Sequence, residues 1–407
     1  MEIGDSPEEA AFRAEALAWL EQHATRLDDD DASPQGSYGA SGLQEHMDRS
    51  RAWQRTLHEE GWAGITLPKE YGGRGGTGMQ QAIFNEEQSK FAVSVGAFSV
   101  AVSMVVPTLI AHGTEQQKKE HVDAILRGDE LWCQLYSEPG AGSDLASLGT
   151  RAVLDGDEYV VNGQKVWNSF AQFADYGILL ARTDPDAPKH RGITYFLVDM
   201  KTPGIDVRPL VQITGDAHFN EVFLTDVRIP AENVLGDVNN GWRVAQTTLG
   251  SERAMIGGGG QGSRQLDDII GLAQRMGLSN DPVVRQELAE MVVRAGVIRY
   301  MGLRLRTAMS KGQMPGPEAS VLKLAYSQHL AKTGDLVMSL LGPSATLWGT
   351  DAPDGSRWQD QFLSQWASRI GGGTDEVQRN VIGERALGLP RDPVSDKDVP
   401  WRELVKP

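Results

Sequence analysis

The hydrophobic period of this chain changes twice along its length, and that restricts its possible folds more than any motif does. From 7 to 24, Phe12, Ala16, Trp19, Leu20 and His23 fall on one helical stripe, and Pro7 suits a first helical turn. An acidic run at 28–31 and a Ser/Gly-rich stretch at 33–42 read as a loop. Helical spacing resumes from 44 to 127, broken at 68–78. Near Leu131 the period shortens. β-rich runs follow at 158–162, 166 onward, 176–181, 192–198, 207–213 and 221–229. Asp155-Gly156 and Pro203-Gly204 mark turns, and Asn162-Gly163 predicts a hairpin. No helix-length stretch separates these runs, so the sheet is expected to be antiparallel rather than built of βαβ units. From 241 to 387 helical spacing returns, at 266–276, 283–310, 316–341 and 358–366. The expected fold is mainly α with a central antiparallel β-domain: a helical part at 1–130, the β-domain at 131–240 and a helical bundle at 241–407. No repeat occurs at a solenoid period.

Charge narrows the function classes. Lys+Arg 39 against Asp+Glu 55 gives a net charge of −16, the wrong sign for a surface that meets nucleic-acid phosphates. The chain has one cysteine, Cys133, so an intrachain disulfide is impossible. The first residues lack the basic-then-apolar layout of a signal peptide, and no apolar run approaches about 18 residues. A cytoplasmic protein with no membrane partner is expected.

Several motifs fail on context. Gly73-Arg74-Gly75-Gly76-Thr77-Gly78 has the letters of a dinucleotide fingerprint, but Lys69-Glu70-Tyr71 precedes it where an apolar strand is required, so it reads as a surface loop. The eight histidines show no metal-ligand spacing, so no metal site is expected. No Gly-x-Ser-x-Gly elbow is present. Two segments carry more. In Tyr136-Ser137-Glu138-Pro139-Gly140-Ala141-Gly142-Ser143-Asp144, small residues let backbone amides approach an anion or flat ring, while the serines add hydroxyls. Alone, the segment is equally a structural turn. In Lys165-Val166-Trp167-Asn168-Ser169, the indole could cover an aromatic cofactor, or it could be a core Trp beside a turn.

Taken together, these segments resemble signatures of the acyl-CoA dehydrogenase family. Further matches are Gly61-Trp62, Pro68-Lys69-Glu70-Tyr71-Gly72-Gly73, Gly113-Thr114-Glu115-Gln116-Gln117-Lys118, Asn162-Gly163-Gln164-Lys165, Asn220-Glu221-Val222-Phe223, Val234-Leu235-Gly236 and Gly373-Thr374-Asp375-Glu376-Val377-Gln378-Arg379-Asn380. The matches are co-linear, and the likeness as a whole runs from about Phe12 to about Arg391. The resemblance implies an N-terminal helical domain, a middle β-domain and a C-terminal four-helix bundle. It also implies bound FAD, an acyl-CoA substrate, and electrons passed to an electron-transfer flavoprotein. Gln134, Tyr136, Ser137, Gly142 and Ser143 would wrap the isoalloxazine and pyrophosphate. Trp167, Asn168 and Ser169 would lie against the flavin, and Thr374, Asp375, Glu376 and Gln378 would contact the cofactor from the bundle. Ser143, Arg253 and Gly373 would reach the substrate.

Two departures from the family pattern matter. Many members place the catalytic Glu directly before the Gly-Thr of the last motif, where this chain has Gly372. A minority, the isovaleryl-CoA and long-chain enzymes, carry it on the first bundle helix before an Arg, where this chain has Glu252-Arg253. Trp242, Ala245, Leu249 and Ile256 form an apolar stripe there, with Glu252 and Arg253 on its two flanks. By pattern alone the pair could equally be a structural ion pair. The resemblance makes Glu252 the base that takes the α-proton. The second departure concerns the segments that hold the adenine end of FAD in many homotetramers. Their nearest counterparts, Gln274-Arg275-Met276-Gly277 and Ser339-Leu340-Leu341-Gly342-Pro343, are degraded. Gly371-Gly372-Gly373-Thr374 resembles actinobacterial-type members that act on sterol side chains and form heterotetramers. The assembly is expected to be a homodimer or homotetramer, or a heterotetramer with a second dehydrogenase-like chain. An oxidase or monooxygenase on the same fold, and a catalytically silent FAD-binding subunit, are the other functions weighed. A plain helical scaffold would be colourless.

Overall fold

Ile178, Leu179, Leu180 and Ala181 are all fully buried, so the strand they form is covered on both faces and reads as an unbroken apolar run. The structure is a computed structural model that describes residues 5–27, 39–256, 262–310, 316–391, 393 and 397–404. In chain order the elements are α1 (Pro7–His23), α2 (Gly39–Glu59), α3 (Gly78–Gln88), α4 (Val106–His112) and α5 (Glu115–Leu126). Then come β1 (Trp132–Leu135), β2 (Arg151–Asp155), β3 (Glu158–Val166), β4 (Tyr176–Arg182), β5 (Ile193–Asp199), β6 (Ile205–Leu210) and β7 (Phe219–Pro230). Last are α6 (Gly241–Ile256), α7 (Gly262–Arg275), α8 (Pro282–Ser310), α9 (Glu318–Leu341), α10 (Arg357–Ile370) and α11 (Asp375–Val381). Contacts group them into two units. The bundle unit comprises Met1–Tyr38, Gly76–Val93 and Arg253–Arg391; the sheet unit comprises Gly39–Gly75, Ser94–Glu252 and Asp392–Pro407.

In the sheet unit the strand order is β1-β4-β2-β3-β7-β6, with β5 on β4. Alternate residues of β4 and β5 serve two cores. Ile178, Leu180, Tyr195 and Leu197 pack with Leu109 of α4, Val122 and Ile125 of α5, and Val244 and Ala245 of α6. Leu179, Ala181, Phe196 and Val198 face the other core with Val161, Val222 and Val227. Most pairings are antiparallel, as expected. The exceptions are β1 against β4 and a single parallel pair, Arg151 with Arg182, between β2 and β4.

Asn162-Gly163 does not make the expected hairpin. It lies inside β3, at a bulge against β7, and the hairpin turn is at Gly156, between β2 and β3. The glycine is needed for a different reason. A Cβ at 163 would stand 2.4 Å from Thr150 Oγ1 and 2.8 Å from its Cα, while Asn162 bonds Asp226 across the bulge at 2.9 and 3.0 Å. Gly163→Ala is therefore expected to cost about 1–3 kcal/mol through overpacking. The check is a lower urea midpoint at unchanged slope.

The sheet unit also includes the far end of the described chain. Trp401 donates its indole N–H to the Ser147 carbonyl (3.1 Å) and its backbone N–H to Ala187 (2.9 Å); Arg402 N–H donates to Pro185 (3.1 Å). The Trp401 ring lies 4.8 Å beneath the buried Arg182 guanidinium, which donates to the carbonyls of Ala146 and Lys189.

In the bundle unit, Ser6 and Glu9 form a capping box that starts α1. Phe12, Ala16, Trp19 and Leu20 are buried, while His23 is exposed and stacks on Trp19. Ile269, Leu272, Met291, Leu336, Val337 and Trp358 make the core of α7 to α10, close to the expected helical runs. The stretch read as a loop at 33–42 is already helical from Gly39. The acidic run at 28–31 and the glycine run at 257–260 lie outside the described residues. Among the described residues no helix is long and apolar enough to cross a membrane.

Candidate functional site

β1 feeds directly into the Gly-rich motif. Glu138 and Ala141 exchange both backbone hydrogen bonds (3.1 and 3.0 Å), closing a tight turn over Pro139 and Gly140. A Cβ at Gly140 or Gly142 would meet nothing within 4 Å, and neither residue has a positive φ. Neither packing nor backbone geometry within the described residues requires glycine there. What the missing side chains leave is main chain open to close approach, as a cofactor cradle needs. Ser143 is exposed beside it, and Ser137 is half-buried.

A buried ion pair anchors this loop. Lys165 Nζ, on fully buried Lys165 of β3, donates to Glu138 Oε1 (2.7 Å) and to the Tyr136 carbonyl (3.0 Å). The Glu138 carboxylate also accepts the N–H groups of Gly149 (2.7 Å) and Thr150 (2.9 Å). Burial pushes the Glu138 carboxyl up, but the Lys165 ammonium and these donors outweigh it and hold the group below the ordinary carboxylate range.

Beyond β3 the chain turns sharply. Trp167 (φ 64) and Phe170 (φ 55) both adopt left-handed backbone, which costs a non-glycine residue about 1–3 kcal/mol. Bonds on both sides hold the turn. Asn168 is buried, and its Nδ2 donates to the Gln134 carbonyl at 2.7 Å. The Asn168 N–H donates to the Asn220 carbonyl, Asn220 Nδ2 donates back to the Asn168 carbonyl, and the Phe170 N–H donates to His218. The result presents the Trp167 indole at 61% exposure, its ring edge-on to Phe219 at 6.0 Å. Trp167 is thus a displayed surface rather than a core Trp. Ser169 is half-buried in the same turn. Gln134, Tyr136, Ser137, Gly142, Ser143, Trp167, Asn168 and Ser169 therefore form one cluster, with Asn168 acting as its internal brace.

The second predicted set forms its own cluster in the bundle unit. Gly372 (φ 63) and Gly373 (φ 86) are both left-handed, so position 372 is poorly suited to a residue with a side chain. Thr374 Oγ1 caps α11 by accepting the Val377 N–H (3.1 Å). Asp375 is buried, accepts Ser327 Oγ at 2.6 Å and lies 3.5 Å from both Lys323 and Arg369. Lys323 Nζ donates to the Gly373 carbonyl (2.7 Å), and Gln378 Nε2 to the Gly372 carbonyl (2.9 Å). Asp375 and Gln378 thereby shape the turn, while Glu376 is exposed and pairs with Arg379. Of the two degraded segments, Arg275 is paired with Asp354 (2.6 Å) and Leu340 and Leu341 are core residues.

Glu252 and Arg253 lie on the helical backbone of α6, and their side chains are outside the described residues. The buried face of α6 runs through Gly241, Val244, Ala245 and Thr248. It is rotated about one residue from the apolar stripe read in the sequence, because Trp242 and Leu249 are only half-buried. Thr248, unremarkable in the sequence, is fully buried and bonded to Thr108 and Tyr195. A signal for it was available in its i+4 spacing from Val244. Among the described residues no His/Cys/Asp/Glu group could hold a metal. The surface groove of about 500 Å³ lined by Tyr71, Glu115, Lys118 and Lys119 contains none of the predicted residues.

Family models of acyl-CoA dehydrogenases match in three consecutive parts: the N-terminal domain at residues 6–129, the middle domain at 133–227 and the C-terminal domain at 239–387. A similar relative is the acyl-CoA dehydrogenase IpdE1 of Mycobacterium tuberculosis, 39% identical over 94% of this chain and 98% of its own. The acyl-CoA dehydrogenase FadE34 of the same organism is 40% identical over 83% of this chain and 46% of its own. Among solved structures, one titled Tcur3481-Tcur3483 steroid ACAD is 30% identical with TM-score 0.82, covering 96% of this chain and 100% of that one. The ChsE4-ChsE5 complex from M. tuberculosis is 31% identical with TM-score 0.78 and the same coverage.

Proposed function

The chain belongs to the acyl-CoA dehydrogenase family, and from that premise we propose that it removes the α- and β-hydrogens of an acyl-CoA thioester to give the trans-2-enoyl-CoA. FAD, the cofactor of the family, supplies the two-electron acceptor for the β-hydrogen when bound. Glu252 takes the α-proton onto its carboxylate. The open main chain at Gly140 and Gly142, with Gln134, Tyr136, Ser137 and Ser143, holds the cofactor. Trp167 covers a ring face, Ser169 offers a hydroxyl, and Asn168 fixes the turn that presents both. Thr374, Asp375, Glu376 and Gln378 form a second cofactor-contact segment. Ser143, Arg253 and Gly373 orient the thioester.

The observation that carries this reading is Trp167, a large aromatic side chain exposed from a strained, fully braced turn beside open glycine backbone. Such strain persists where function requires it. The purified protein is expected to be yellow, with a flavin spectrum that bleaches when acyl-CoA is added without oxygen. A colourless protein that binds no FAD would sink the reading. Slow reoxidation by oxygen and fast reoxidation by electron-transfer flavoprotein identify a dehydrogenase. Fast reoxidation by oxygen identifies the oxidase or monooxygenase alternative.

For the acyl group, likeness to a structure titled a steroid enzyme supports a steroid-derived side chain. In a panel of short, long, branched and steroid CoA esters, the steroid ester is expected to have the highest kcat/KM. A highest value for a short linear ester would reject that assignment. Likeness to Tcur3481-Tcur3483 and to the ChsE4-ChsE5 complex supports an oligomer with a second dehydrogenase-like chain, which mass measurement alone and after co-expression would separate from a homo-oligomer.

A further inference from the structure

A chain of buried hydroxyls runs through the sheet unit with no role in the chemistry above. Tyr195, Thr248 and Thr108 are each 0% exposed. Tyr195 OH lies 3.2 Å from Thr248 Oγ1, which lies 3.0 Å from Thr108 Oγ1. The Tyr195 ring meets that of Tyr136 edge-on at 6.0 Å. Thr108 donates its only hydroxyl proton to the Met104 carbonyl at 2.7 Å. Thr248 Oγ1 also lies 3.4 Å from the Val244 carbonyl of its own helix, so the three hydroxyls join α6 to α4 and to β5 as one bonded cluster. A second bond acts at the neighbouring residue, where Thr247 Oγ1 meets His112 Nε2 at 2.8 Å.

Valine would fill the place of Thr248 without burying a hydroxyl, and a buried hydroxyl stabilises the fold only while it is bonded. What the hydroxyls add is direction. Apolar packing of Val244 and Ala245 lets a helix slide or rotate slightly, whereas a bonded hydroxyl at each step fixes both motions. Thr248 stands four residues, one helical turn, before Glu252 on α6. Tyr136 stands at the head of the Gly-rich loop.

We infer that the Tyr195–Thr248–Thr108 hydroxyl chain, with the Thr247–His112 bond and the edge-on contact of Tyr195 with Tyr136, sets the rotation and height of α6 so that the residue at 252 is held in register with the Gly-rich loop. This rests on the reading of Glu252 as the base. Thr248 and Tyr195 are positioning residues: they touch neither substrate nor cofactor. Errors of about 1 Å in such placement cost on the order of 100-fold in rate.

The test compares Thr248→Val, which keeps the shape and loses the hydroxyl, with Thr248→Ser, which keeps the hydroxyl and loses the methyl. Each is assayed as holoenzyme for FAD content, KM, kcat and α-proton exchange in D2O. Thr248→Val is expected to keep FAD and KM while kcat and exchange both fall by about 10- to 100-fold, and Thr248→Ser to regain most of the loss. Unchanged kcat in Thr248→Val would overturn the inference. So would a loss that Thr248→Ser does not repair, or one in which kcat falls only as FAD is lost. Should Thr248→Val not fold, Tyr195→Phe breaks the same chain one step away and is expected to show the same split between kcat and KM. Glu252→Gln is run in parallel. If it stays active, the base assignment and this inference fall together; if it is inactive while Thr248→Val matches wild type, only this inference falls.

Discussion

Replacing Glu252 by Gln is expected to leave a folded, yellow protein whose kcat has fallen by about 10²- to 10⁴-fold, the usual contribution of a positioned general base. The amide has nearly the shape of the carboxylate but cannot accept the α-proton. KM should therefore change little, and the loss should appear equally in kcat and in kcat/KM, as for an interaction made only in the transition state. Exchange of the α-proton with D2O, followed by NMR on the CoA ester, reports the same step without turnover and should fall in parallel. The alternative position is unpromising, because Gly372 has φ 63, a backbone that disfavours any side chain. Turnover near wild type in the variant would move the base elsewhere on the chain.

Lys165→Met is expected to have the largest effect on stability. The ammonium it removes is fully buried and lies 2.7 Å from the Glu138 carboxylate, whose side chain is 12% exposed. Two backbone N–H groups would remain to Glu138, too few to compensate a buried charge. Breaking such a pair from one side costs about 3–5 kcal/mol, read as a lower urea midpoint at unchanged slope. The double variant Glu138→Gln with Lys165→Met should recover much of the loss, because it leaves no unpaired charge. The pH dependence follows from the direction of the Glu138 shift. Its folded pKa is below the ordinary 4.5, so the pair's contribution is fully present above pH 4.5 and is lost as pH falls through the folded value. Wild type should therefore lose stability in that acid window, and the double variant should lose less. FAD retention should fall with Lys165→Met, since the same ammonium holds the Tyr136 carbonyl.

What could be read from the sequence was whatever repeats at the period of a single element. The bundle helices follow from apolar spacing, and α8 and α10 begin within a residue of where spacing puts them. The Gly-rich loop was legible because small residues are unusual wherever backbone need not be approached. Other features depend on residues far apart in the chain. The glycine of Asn162-Gly163 answers to Thr150 rather than to a turn. The parallel match of Trp132 with Tyr176 has no local signature. Glu138 looked like part of a loop motif, yet its fixed place comes from Lys165, 27 residues on. Thr248 stands out little in the sequence because its hydroxyl's partners, Thr108 and Tyr195, come from two other segments. Of the site itself, residue types and clusters were visible; the strained display of Trp167 and the bracing by Asn168 were not, since both are matters of backbone angle and partner.

Trp401 bears on how the molecule can be made. The ribosome delivers Arg182 and the carbonyls of Ser147, Pro185 and Ala187 long before it delivers the residue that closes over them. At about 5–20 residues per second, the interval is roughly 10–45 s. Throughout that time the loops beside the Gly-rich motif lack their last donors, and the buried guanidinium lacks the ring beneath it. The sheet unit can therefore collapse early but seal only late, after the bundle segments have emerged from the ribosome. A slow final folding phase, seen by Trp401 fluorescence and absent from a chain ending at residue 391, is the signature of that order of assembly.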